Sequence, residues 1–212
     1  MARPAGTAEA RSLSGDYRGS RLVAWSRLAS DPHIAYPLLA TASVGYSAVA
    51  LLLSLAKALP MPPPYLRIPD IDYFSAGAYF YAPAILAAWL LASSVMYVIA
   101  WAMGRKPQFD ELLTATAFAT GFSTLGTLIP DLVTSSLRAS GVINESAWEA
   151  SIAQHGGWFV FTWLTLITYL VLFLVTYPLA ARQGTRLAWP RAVGVGMAGF
   201  LVFQSFEYVF IR

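Results

Sequence analysis

Long apolar stretches alternate with short polar ones along this chain, and the apolar stretches are of similar length. Residues 36–56, 78–103, 112–130, 158–181 and 192–211 are dominated by Leu, Ala, Val, Phe and Gly, with polar connections between them. Each is about 20 residues or longer, the length an α-helix needs to cross a hydrocarbon core. They are apolar all round rather than along one stripe, so a water-soluble fold could not bury them. The pattern predicts an all-α polytopic membrane protein: a bundle of five transmembrane helices over 36–211, behind a polar tail over 1–35.

The spans differ in kind. The third carries Thr114-Ala-Thr-Ala-Phe-Ala-Thr-Gly-Phe-Ser-Thr-Leu-Gly-Thr127, almost all small side chains. Ala115, Ala119 and Ser123 recur every four residues, as do Ala117 and Gly121, and such ridges let neighbouring backbones approach closely. This span is expected at the centre of the bundle, with Ala117, Gly121, Gly126 and Pro130 as packing positions. Gly194 and Gly199 are the matching positions in the fifth span. The fourth, rich in Leu, Val, Phe and Trp, has the composition of a lipid-facing helix.

The connections carry their own signals. Pro60-Met-Pro-Pro-Pro64 is a stiff, non-helical exit from the first span. Between spans three and four, Asn144 is a good N-cap and Glu145 complements a helix dipole, so a short helix is expected there, ended by Gly156-Gly157. In the tail, Leu22, Trp25 and Ala29 share one face of a candidate surface helix over 20–29.

Composition agrees with the pattern. The chain is 57% hydrophobic and 12% charged, where a soluble domain has about 25% charged. It has no cysteine, which excludes disulfides, thiolate nucleophiles and Cys-ligated metal sites. Charge placement predicts orientation. Of the 14 Lys and Arg residues, ten fall in the tail, in the Arg105-Lys106 turn and around Arg182, Arg186 and Arg191. By the positive-inside rule these face the cytoplasm, which puts the N-terminus inside and the C-terminus outside.

Few residues offer chemistry. Asp131 closes the third span and Glu207 lies near the end of the fifth; ionisable groups at membrane depth are functional candidates by default. Both fall toward the predicted outer side, where Arg138 could pair with them or share a polar pocket. His33 and His155 lack ligand-spaced companions, so no metal site is expected. No phosphate loop, nucleophile elbow or His-Glu-x-x-His is present, and no cofactor, catalytic residue or nucleic-acid partner is expected.

The run Met103-Gly-Arg-Lys-Pro-Gln-Phe-Asp-Glu-Leu-Leu-Thr-Ala-Thr-Ala-Phe-Ala-Thr-Gly121, with the closing Leu128-Ile-Pro130, resembles the Yip1 domain family. Its prokaryotic members show an apolar span, a Gly-basic-x-x-Phe turn, a small-residue span and a closing Ile-Pro. The resemblance implies five spans with a cytosolic N-terminus, a prokaryotic cytoplasmic (inner) membrane, and no established chemistry. The resulting expectation is a non-enzymatic scaffold or adaptor in the lipid bilayer, associating through small-residue faces with itself or another membrane protein. The alternative is a small transporter or permease subunit using a polar site around Asp131 and Glu207.

Overall fold

A computed structural model describes residues 24–60 and 68–210. Most of the tail, the proline-rich exit from the first span and Arg212 lie outside the described residues. Those described form seven helices: α1, whose described part is residues 24–29, then α2 (Pro32–Leu55), α3 (Asp70–Ala102), α4 (Phe109–Ala139), α5 (Glu145–Ala153), α6 (Gly157–Thr185) and α7 (Trp189–Phe210). Five of them, α2, α3, α4, α6 and α7, are long and apolar enough to cross a membrane. The protein is an integral membrane protein by that criterion.

The helices outrun the apolar stretches. α3 begins at Asp70 rather than near residue 78, because Asp70 and Asp72 sit in the first turn and complement the helix dipole. The aromatic group Tyr73, Phe74, Tyr79, Phe80 and Tyr81 is therefore helical. α4 runs to Ala139, straight through Pro130, which had marked the expected end of the third span. Proline is tolerated inside a membrane helix where neighbouring groups satisfy the backbone it frees. Pro37, Pro83 and Pro178 are likewise internal. Near Pro83, the Ala82 N–H donates across to Ser47 Oγ of α2 at 3.1 Å.

The spans close into a ring in the order α2, α4, α6, α7, α3 and back to α2. Along their most apolar stretches, 72% of α4 residues are buried, against 11% in α6. The small-residue helix is the most buried of the five spans, and the Leu/Val/Phe helix the most exposed. Threonine and serine hydroxyls tie α4 to three neighbours. Thr116 Oγ1 accepts from Trp89 Nε1 of α3 at 3.1 Å, Thr120 lies 3.0 Å from the Tyr177 hydroxyl of α6, and Ser123 lies 2.8 Å from Thr176. Thr114 meets Tyr36 of α2 at 3.2 Å. Such bonds contribute about 0.6 kcal/mol each on average inside a membrane protein.

Backbone approaches close the end of the bundle that holds α1, among them Gly184 of α6 against the Leu112 Cα of α4. A Cβ on Gly121 would stand 2.7 Å from the Leu39 nitrogen of α2, and one on Gly196 would stand 2.5 Å from the Pro178 nitrogen of α6. No side chain larger than hydrogen fits either position. α1 caps the same end. Its Trp25 is half-buried, edge-on to Phe118 at 4.9 Å and to Phe122 at 5.6 Å, and Ala29 is fully buried. The described part of the expected surface helix thus packs Trp25 against the two stacked rings that α4 presents.

Candidate functional site

The other end of the ring is hollow. Here α2 and α4 end, α3 and α6 begin, and α7 finishes, around a cavity of about 580 Å³. That is within the range of small-molecule sites. All five spans reach it, and α5 lies over it through Trp148 and Ile152.

Asp131 and Glu207 both face this cavity, from α4 and α7, which are not adjacent in the ring. Each is held by a tyrosine from a third helix. The Tyr46 hydroxyl of α2 donates to Asp131 Oδ2 at 3.0 Å and lies 2.8 Å from Thr127 Oγ1. The Tyr169 hydroxyl of α6 donates to Glu207 Oε2 in a short contact. Gln204, one turn before Glu207, donates from Nε2 to the Tyr169 oxygen at 2.7 Å and to Glu207 Oε2 at 3.1 Å. A carboxylate has two oxygens able to accept several bonds. All the bonds here fall on one of them, leaving Asp131 Oδ1 and Glu207 Oε1 without a protein donor among the described residues.

Arg138 also lines the cavity but does not neutralise these acids. Its Nε donates to Glu145 Oε2 at 2.9 Å, its Nη2 makes a short contact with Glu145 Oε1, and its guanidinium stands 4.7 Å from the Trp148 ring centre. Glu145, expected only to complement the α5 dipole, thereby fastens α5 to the end of α4. Asn144 caps α5 as expected, its side chain accepting from the Ser146 N–H at 3.0 Å. α5 ends at Ala153 rather than at the Gly156-Gly157 pair; Gln154 caps it, His155 takes the left-handed conformation and Gly157 already opens α6.

The remaining candidates are dispersed. Ala117 and Gly121 are buried at the closed end, and Gly199 faces Met96 Sδ, which stands where its Cβ would clash. Gly126 is exposed beneath the tip of Leu172, Pro130 is half-buried, and Gly194 is exposed with nothing near its missing Cβ. Arg105 and Lys106 are exposed in the turn between α3 and α4. Among the described residues no group of three His, Asp or Glu side chains is placed to hold a metal.

Tyr46, Tyr169 and Gln204 were not singled out in the sequence. Two signals point to them. A hydroxyl within an apolar span needs a partner, and Gln204 precedes Glu207 by three residues on one helix face. Comparison of this chain with known protein families, curated proteins and solved structures finds no match.

Proposed function

We propose that this protein is a small, non-enzymatic membrane permease, or the permease subunit of a larger assembly. It takes a solute into the cavity at the hollow end and holds it through Asp131 and Glu207. The observation that carries this reading is the convergence of two carboxylates from apolar spans, without a described cationic partner, on one chamber. Acidic groups there are costly, and a folded bundle that retains two of them has a use for their charge. The closed opposite end fits a carrier open on one side at a time.

The Yip1-type scaffold reading depends on small-residue faces being free for a partner. Ala117, Gly121 and Gly199 are instead occupied within the bundle, which leaves that reading with Gly126 and Gly194.

Because the chain has no cysteine, one introduced thiol tests the chamber. In proteoliposomes, Thr134→Cys should react with a water-soluble maleimide, and Ser123→Cys, on the same helix but in the packed half, should not. Osmotic swelling rates for a sugar, an organic cation and an organic anion should then exceed those of an Asp131→Asn/Glu207→Gln double variant for at least one solute. Equal rates for all three would sink the transport reading.

A further inference from the structure

Resting on the cavity reading above, we infer that the chamber recognises an ammonium group carried on an apolar body, a protonated or quaternary amine, rather than an inorganic ion or an anion. Three features of the wall lead there. First, the described residues leave Asp131 Oδ1 and Glu207 Oε1 open while their sister oxygens are held by Tyr46, Tyr169 and Gln204. The bound tyrosines fix the carboxylates in place, so the open oxygens present negative charge at little cost in reorganisation. Second, an anion would need a cation in the wall, and Arg138, the one arginine among the wall's described residues, is already engaged with Glu145 and the Trp148 ring.

Third, the rest of the wall suits a greasy cation and not a bare one. A hard metal ion takes about six oxygen ligands or keeps its water. This chamber offers two carboxylates and the hydroxyls of Thr127, Thr134, Ser135 and Thr165, which donate to carbonyls of their own helices, beside apolar Val49, Leu53, Phe74, Phe161 and Leu166. Aromatic faces attract quaternary and protonated amines through their quadrupoles. Arg138 over Trp148 shows that this wall already accommodates a cation on a ring. The volume accommodates a ligand of roughly ten to twenty heavy atoms, far larger than a metal ion.

An ammonium group can arrive on a soluble amine or on the ethanolamine or choline headgroup of a lipid. The recognition chemistry is the same for both, and the experiment separates them. The purified full chain is titrated calorimetrically in detergent, before and after delipidation, with benzyltrimethylammonium, sodium phenylacetate and sodium chloride. Saturable one-to-one binding of benzyltrimethylammonium alone is expected, weakened at least tenfold by Asp131→Asn or Glu207→Gln. Competition by added phosphatidylethanolamine or phosphatidylcholine, but not by phosphatidylglycerol, assigns the group to a lipid. Absence of that competition assigns it to a soluble amine.

Binding of phenylacetate, or of sodium in place of the amine, overturns the ammonium assignment while leaving the chamber a solute site. So does amine affinity unchanged in both variants. Failure of every probe to bind, before and after delipidation, overturns the assignment too. The selectivity of the unmodified protein needs no variant, so it decides the matter even if the substitutions impair folding. The maleimide and swelling measurements answer separately whether the chamber is reached by water and conducts.

Discussion

The two ends of this bundle are made from the same five helices and differ in what fills the space between them. At the α1 end, Gly121 and Gly196 bring backbones into contact, and Trp25 and Phe118 plug what remains. At the α5 end the side chains facing inward are longer and polar, Tyr46, Asp131, Tyr169, Gln204 and Glu207, and they surround a space rather than fill it. Close packing contributes dispersion energy in a membrane, where no hydrophobic force joins helices. The packed half therefore supplies the rigidity on which the hollow half, with its costly carboxylates, depends. α4 belongs to both: small residues from Ala115 to Gly121 serve one end, and Thr127, Asp131 and Thr134 serve the other.

The sharpest way to break this contrast is to put bulk at each end. Gly121→Leu should cost about 3 kcal/mol or more, at the upper limit of overpacking penalties, because the obstruction is Leu39 backbone. Thr165→Leu, which points bulk into the cavity, should cost less than about 1 kcal/mol. Thermal melting of the detergent-solubilised protein reads both, and equal losses would mean that the hollow end is as tightly packed as the other. Next in size are the carboxylates. Asp131→Asn and Glu207→Gln should each leave stability unchanged or raise it by about 1 kcal/mol, since each removes an unpaired charge from the membrane interior. Solute uptake should fall in the same variants. A large loss of stability would recast both residues as structural.

Arg138→Ala should cost about 1 kcal/mol and act locally. Faster amide exchange confined to α5 is the expected signature, and acceleration spreading into α6 would show that α5 braces the bundle rather than roofing the cavity. The smallest effect is expected at the closed end. Glu111 meets Arg186 at 3.5 Å, but the arginine side chain is 79% exposed. Glu111→Gln should shift stability by no more than about 0.5 kcal/mol.

The number and rough position of the spans were legible in the chain, because the hydrocarbon thickness imposes a minimum apolar length that no soluble element shares. The close packing of α4 was legible for a related reason, although it is a member of the ring and not its centre: small side chains repeated every four residues serve close helix contact and little else. The exact ends were not, since Pro130, a helix breaker in water, lies inside α4, and membrane helices tolerate an internal proline. Asp131, Glu207 and Arg138 stood out one by one as charges near the membrane. Whether they met was another matter.

That meeting was decided only by the tertiary structure. Asp131 and Glu207 share a chamber because the ring places α2 and α6 between α4 and the rest, so that Tyr46 and Tyr169 reach the two acids from different sides. Arg138 is withheld from them because α5 brings Glu145 closer. Apolar length and small-residue spacing are local properties, written in consecutive residues and enforced by the bilayer. A cavity is the space left by five helices at once. It depends on their order and on the few places where glycine lets two backbones touch, and no single stretch of the chain contains it.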